Sequence, residues 1–93
     1  MKDMARAHLI VRGRVQGVSY RAYTVETATE LGLRGWVKNT HDGGVEITVE
    51  GKKDAVGKLI KWCKEGPPMA NVKSVLAEWE PFAGDFEDFD IAY

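Results

Sequence analysis

Alternating apolar and polar residues predict strands in several short segments of the chain. The clearest case is residues 45–50, where Val45, Ile47 and Val49 alternate with polar residues. A period of two is typical of a strand with one buried face. The turn cluster 40–44 precedes this segment and has the residue types of a tight hairpin. The predicted strands cover residues 8–15, 33–39, 45–50, 72–80 and 89–93.

A first helix is predicted from about Tyr20 to Leu31. Ser19 is placed to cap its amino end, and Gly32 is suited to a left-handed conformation that ends it. Its apolar stripe is predicted to consist of Tyr20, Tyr23 or Thr24, Ala28 and Leu31.

A second helix is predicted after a turn at residues 51–53. Asp54 is placed as its N-cap, and the Gly66-Pro67-Pro68 sequence stops it. Four residues fall at i, i+3, i+4 and i+7, the spacing of one helix face. They are Val56, Leu59, Ile60 and Cys63.

The order of these elements predicts an α+β fold. Strand, helix, strand, strand, helix, strand, to which residues 89–93 add a short last strand, is the ferredoxin-like split βαβ pattern, an antiparallel sheet with two helices on one face. We expect residues 1–93 to form a single domain, because a chain of this length has no room for a second one. This architecture serves enzymes, RNA-binding modules and small-molecule sensors, so it does not by itself fix the function.

Composition narrows the class of protein. Hydrophobic residues make up 44% of the chain and charged residues 29%, as in ordinary globular domains. Short apolar runs predict no membrane span, and the single Cys63 excludes an internal disulfide and a cysteine zinc site. We therefore expect a cytoplasmic protein.

Charge is unevenly distributed along the chain. Residues 1–73 hold all 13 Lys and Arg, whereas residues 74–93 hold six acidic residues and no basic one. The basic part favours an anionic ligand, but the acidic end argues against a broad nucleic-acid footprint. The alternative is that both parts are only solvated surfaces, because these would give the same uneven charge.

The segment between the first strand and the first helix is the main candidate for chemistry. A glycine-containing loop that leads into a helix exposes several backbone N–H groups, which suit a phosphate or sulfate. Arg21, in the first turn, can bind two oxygens of the same anion through its planar guanidinium. The alternative is a plain strand-to-helix turn with a surface arginine.

Asn39 is the second candidate, at the end of the second strand. Its carboxamide can accept a hydrogen bond from water and donate one to an oxyanion. The alternative is that asparagine only tolerates the turn geometry there.

Two long motifs resemble the signatures of the acylphosphatase family. The first is VRGRVQGVSYR, residues 11–21; the second is GWVKN, residues 35–39, followed by GGV at 43–45 and by Gly51. The ending FDIAY, residues 89–93, is also similar to the last strand of that family. The likeness runs from about Ala7 to the end, and one departure is Tyr20, where the family more usually has phenylalanine.

This resemblance implies a hydrolase that cleaves the carboxyl–phosphate bond of acyl phosphates without metal or cofactor. It implies that Arg21 binds the phosphate and that Asn39 orients the attacking water. It also implies a small-molecule substrate, no nucleic-acid or membrane partner, and a monomer. The expected backbone cradle for the phosphoryl group consists of Gln16, Gly17, Val18, Ser19, Tyr20 and Arg21.

Other residues and functions receive less weight. His41 could act as a base beside Asn39, but an exposed turn residue is the commoner role. His8 is predicted at the surface or at a sheet edge, Glu46 and Glu50 in solvent, and Cys63 in the core. The alternative functions are an RNA-binding sheet and a domain that binds a small anion without turnover.

Overall fold

A five-stranded sheet carries two helices in the computed structural model, which describes residues 3–93. The strands are β1 (Met4–Arg14), β2 (Arg34–Asn39), β3 (Val45–Lys52), β4 (Asn71–Glu80) and β5 (Phe89–Ile91). The helices are α1 (Tyr20–Glu30) and α2 (Lys53–Glu65). Helix α1 packs against β2 and β5, and helix α2 packs against β4, β1 and β3.

The strand order across the sheet is β4-β1-β3-β2-β5. Neighbouring strands are antiparallel except for β5, which runs parallel to β2 with Val37 opposite Ile91. The predicted ferredoxin-like fold is confirmed, and β5 makes the sheet mixed instead of entirely antiparallel. The terminal strand covers the edge of β2, whose backbone groups would otherwise lack partners on that side.

Alternating residues of the two central strands form the core beneath the helices. From β1 these are Ala7, Leu9 and Val11, all fully buried. Val45, Ile47 and Val49 of β3 and Val56, Leu59 and Cys63 of α2 are also fully buried. Each large aliphatic side chain of this kind contributes about 1.5–3 kcal/mol by leaving water.

The start of α2 differs from the prediction in two respects. Strand β3 continues to Lys52 and α2 begins at Lys53, so there is no turn at 51–53. Asp54 lies inside the first turn and is not the N-cap, which is Lys52. In α1 the buried stripe contains Thr24, which donates to the carbonyl oxygen of Tyr20 at 2.8 Å.

Of two predictions about polar residues on the sheet, one holds in part and one is wrong. His8 is partly exposed at the surface but is not at an edge, because β1 lies between β4 and β3, and its Nε2 is 2.6 Å from Oε2 of Glu46. Glu50 is not solvated, because its residue is only 2% exposed. The segment after β4 covers it from the face opposite the helices.

Glu50 fastens that segment to the sheet. Its carboxylate accepts hydrogen bonds from the N–H groups of Ala83, Gly84 and Asp85 at 2.8–3.2 Å, and it pairs with Arg6 at 3.2 Å. Burial raises the pKa of Glu50, but these donors outweigh burial and hold the pKa below its ordinary value. The ionised carboxylate is therefore the form that stabilises the fold.

We expect Glu50→Gln to lower the free energy of unfolding at pH 7 by about 2 kcal/mol, because a charged acceptor is lost. The folded pKa lies below the unfolded value, so the Glu50 contribution is complete above about pH 4.3 and is lost at lower pH. Urea unfolding at pH 7 and pH 3 should show the difference from wild type shrinking in acid. Glu26→Gln, an exposed position on α1, is the control. An equal loss at both pH values would contradict this assignment.

Candidate active site

Strand direction brings the two predicted site residues to the same end of the sheet. β1 and β2 each pair antiparallel with β3, so they run in the same direction. Arg21, in the helix that follows β1, therefore lies near Asn39, the last residue of β2. Both line one cleft of about 170 Å³. Its lining residues are Val15, Gly17, Ser19, Tyr20, Arg21, Ala22, Asn39 and Ile91.

The loop between β1 and α1, which contributes to the lining of the cleft, has an unusual backbone. Gly17 has φ +74° and Ser19 has φ +62°, both in the left-handed region. Such a conformation costs a non-glycine residue about 1–3 kcal/mol, and strained positions of this kind cluster at functional sites. Ser19 precedes the helix as predicted, but its side chain makes no capping hydrogen bond within residues 3–93. A capping side chain normally needs an extended backbone at that position.

The first three backbone N–H groups of α1 lie beside the cleft. The first bond at this end runs from the N–H of Tyr23 to the carbonyl oxygen of Ser19 at 3.1 Å. The N–H groups of Tyr20, Arg21 and Ala22 precede it, so helix geometry supplies them with no acceptor. Together with the helix dipole they create a partial positive charge at the cleft.

Arg21 adds a full positive charge to this end of α1. It is half-buried, and its guanidinium carbon is 5.6 Å from the centre of the Tyr93 ring. An aromatic face at this distance attracts a cation and limits the positions that the side chain occupies. Because the Tyr93 ring is itself exposed, this contact favours a position of the arginine beside the cleft only weakly.

Asn39 has an unused acceptor at the cleft. Its side-chain Oδ1 is buried and has no hydrogen-bond partner among the described residues. A buried polar atom without a partner costs about 1–3 kcal/mol. A half-turn of the carboxamide exchanges oxygen and nitrogen, so the group can either accept or donate at the same place.

The hairpin that follows Asn39 is held in shape by its own side chains. The Thr40 hydroxyl donates to Asp42 at 2.5 Å and accepts from the N–H of Gly44 at 3.0 Å. Arg12 of β1 also donates to Asp42, at 2.6 Å. The Thr40 hydroxyl and the Arg12 guanidinium lower the pKa of Asp42 to about 2. The residue types at 40–44 predict a turn but not this network, although Asp42 next to glycine is a signal for it.

Gln16 joins the loop to that hairpin. Its Nε2 donates to the carbonyl oxygen of Thr40 at 2.9 Å and to that of Gly44 at 2.8 Å. Gln16 was predicted as part of the cradle, but neither it nor Val18 is among the residues that line the cleft. Val18 is buried in the core.

The Tyr20 side chain points away from the cleft into the core. Its hydroxyl donates to the carbonyl oxygen of Cys63 at 2.8 Å, and its ring centre is 5.5 Å from that of Trp62. Burial raises the pKa of the Tyr20 hydroxyl well above its ordinary value. The hydroxyl of Tyr20 therefore ties α1 to α2, while its N–H lies at the start of α1.

The remaining candidates lie outside the cleft. His41 is an exposed turn residue, and Cys63 is buried as predicted, where burial raises the pKa of its thiol to about 12. No group of three or more His, Cys, Asp or Glu suited to a metal occurs within residues 3–93. In the same range, neither helix is long and apolar enough to cross a membrane.

A larger cavity, of about 520 Å³, lies at the opposite end of the sheet. Glu50 is in its wall, together with Leu31, Arg34, Phe82 and Phe86. The carboxylate of Glu50 is already engaged by three backbone donors and Arg6. The smaller cleft combines unused donors with an arginine, so it is the better candidate for chemistry.

Comparison with known proteins agrees with the fold and with the two motifs. The family model for acylphosphatase matches residues 7–91. An acylphosphatase of Pyrobaculum arsenaticum is 52% identical over 90 residues, covering 96% of this chain and 95% of the relative. The crystal structure of acylphosphatase from Bacillus subtilis has a TM-score of 0.92 at 35% identity, covering 96% of this chain and 99% of that one. An acylphosphatase structure from Coxiella burnetii also gives 0.92, at 40% identity, with coverage of 98% and 95%. The chain therefore belongs to the acylphosphatase family, and it is a hydrolase.

Proposed function

We propose that this protein hydrolyses the carboxyl–phosphate bond of acyl phosphates to a carboxylate and inorganic phosphate. Arg21 and the start of α1 bind the phosphoryl group, and Asn39 orients the attacking water. The observation that carries the proposal is the single cleft that both residues line, although they come from different elements. Family membership supplies the reaction class.

Phosphate binding follows from the donors at the cleft. The N–H groups of Tyr20, Arg21 and Ala22 converge at the helix start, and an anion there interacts favourably with the helix dipole. The Arg21 guanidinium donates two parallel hydrogen bonds to two phosphoryl oxygens. As charge grows on these oxygens in the transition state, the fixed donors stabilise it without reorganising.

Water is positioned by the carboxamide of Asn39. Its Oδ1, which has no partner among residues 3–93, accepts a hydrogen bond from the water, whose oxygen is then directed at phosphorus. Positioning of this kind lowers the entropic part of the activation free energy, because the water is already ordered before the reaction begins. Asn39 acts as an orienting group and takes no proton.

The proposed reaction needs no protein side chain as a base. The water oxygen forms a bond to phosphorus while the bond from phosphorus to the acyl oxygen breaks, and the carboxylate departs with that electron pair. A phosphoryl oxygen of the substrate takes the proton of the water. No carboxylate, imidazole or thiol is among the described residues that line the cleft. A carboxylate leaves readily, so little general-base assistance is needed.

Hydrolysis of benzoyl phosphate, followed by its loss of ultraviolet absorbance, tests the proposal directly. We expect turnover by the purified chain. Binding of the substrate without turnover would favour the alternative of an anion-binding domain and would contradict the proposed function.

Inorganic phosphate should inhibit this hydrolysis competitively, because the product occupies the site of the substrate phosphoryl group. An inhibition constant on the order of 1 mM is expected for a lone anion site. Initial rates over a matrix of substrate and phosphate concentrations measure it, with sodium chloride of equal ionic strength as the control. Sulfate should compete in the same way. Noncompetitive inhibition by phosphate would place the anion site elsewhere.

A further inference from the structure

We propose that Gln16 is a positioning residue for hydrolysis, setting the separation between the phosphate-binding loop and Asn39. The inference rests on the proposed roles of Arg21 and Asn39. Gln16 lies in the loop between β1 and α1, and Thr40, to which its side chain donates, immediately follows Asn39. One side chain thus connects the two halves of the cleft.

Backbone pairing does not make this connection. The ladder between β1 and β3 ends at Val11 opposite Val45, so it stops before the loop begins. Beyond that point, Gln16 and the exposed pair of Arg12 with Asp42 link the two segments. An exposed ion pair contributes little, typically below about 1 kcal/mol. Gln16 is half-buried, so its hydrogen bonds are better shielded from water.

The carboxamide of Gln16 matches two carbonyl acceptors at the turn of the hairpin. Its single nitrogen donates both hydrogens, one to the carbonyl oxygen of Thr40 and one to that of Gly44. The same two residues are joined by a hydrogen bond from the N–H of Thr40 to the oxygen of Gly44 at 3.0 Å. Gln16 is therefore hydrogen-bonded to the hairpin at the point where its two strands enter the turn.

A change at Gln16 should act on turnover more than on binding. Arg21 and the donors at the start of α1 belong to one element, so they keep their mutual geometry when the hairpin shifts. Asn39 lies on the other side of the connection, and its distance from the phosphoryl group changes. A misplacement of about 1 Å in a reacting group can cost roughly 100-fold in rate.

Gln16→Met and Gln16→Glu form the test pair. Methionine keeps the length of the side chain but has no donor, and glutamate places a negative charge against two carbonyl oxygens. At pH 7.5 we expect kcat to fall about 10- to 100-fold in both variants. The KM and the inhibition constant of phosphate should stay within roughly twofold in Gln16→Met, since the phosphate site is intact.

Acid provides a signature that loss of stability alone would not produce. A protonated glutamic acid regains one donor, so the kcat of Gln16→Glu relative to wild type should rise as the pH falls from 7.5 to about 4.5, towards the ordinary carboxyl pKa. The ratio for Gln16→Met should stay flat. Nearby charged groups, namely Arg12, Arg21, His41 and Asp42, are common to all three proteins, and Asp42 stays ionised in this range because its pKa is about 2.

The outcomes separate this inference from the proposed function. Activity is compared well below the unfolding temperature of each variant, so that only folded protein is measured. Unchanged kcat in Gln16→Met, or an acid-insensitive ratio in Gln16→Glu, would overturn the positioning role while leaving Arg21 and Asn39 untouched. Retained turnover in Arg21→Ala and Asn39→Ala would instead overturn the proposed function.

Discussion

Replacing Arg21 by alanine should lower kcat/KM for benzoyl phosphate by about 100- to 1000-fold. This corresponds to the loss of roughly 3–4 kcal/mol of transition-state stabilisation, the effect of one well-placed donor to a developing oxyanion. Arg21→Lys should also lose most activity. It keeps the positive charge but not the planar pair of donors, so it cannot bind two phosphoryl oxygens in the same way.

Steady-state kinetics of both variants, together with Arg14→Ala, measure this effect. Arg14 is an exposed arginine at the end of β1, so its loss changes the local charge without removing a donor from the cleft. We expect its kcat/KM to stay within roughly threefold of wild type. An Arg21→Ala protein within about tenfold of wild type, or 1.4 kcal/mol, would remove Arg21 from the mechanism.

Replacing Asn39 by alanine should reduce kcat by about 100-fold while leaving the inhibition constant of phosphate nearly unchanged. The contact with the attacking water forms mainly in the transition state, so its loss falls on turnover and not on affinity. Unfolding measurements should show that the variant is folded, since the Oδ1 of Asn39 has no partner among the described residues to lose.

Asn39→Asp is the sharper variant. It keeps the shape of the side chain but brings a negative charge towards an anionic substrate, so phosphate binding should weaken together with turnover. If aspartate instead gives more activity than alanine across neutral pH, a general base assists the reaction and the substrate does not take the proton. A limb in the pH–rate profile that disappears in His41→Ala would identify the imidazole as that base.

The position of the cleft could be predicted because it depends on local pattern and strand direction. Glycines, an arginine in the first turn of a helix and an asparagine at a strand end are all visible in the sequence. Once the βαββαβ order is recognised, the carboxyl ends of β1 and β2 must lie at the same end of the sheet. The roles of Arg21 and Asn39 themselves came from the resemblance and stay predictions.

Contacts between distant segments could not be predicted. Glu50 has the alternation of a solvated strand residue, and only the segment around Ala83, far along the chain, shows why it is buried. The side chain of Gln16 gave no sign of its two acceptors on the hairpin for the same reason. Likewise, the hydroxyl of Tyr20 found its acceptor on a helix that follows two further strands.

The order of strands in the sheet also governs when this chain becomes competent during refolding. β1 and β2 do not pair with each other, and β3, which follows both along the chain, lies between them. Helix α1 and the hairpin can each form locally, but neither alone brings Arg21 to Asn39. Such nonlocal pairing is slow compared with helix formation. Recovery of catalysis therefore reports the completed sheet, whereas recovery of the helical signal reports only the formation of local elements.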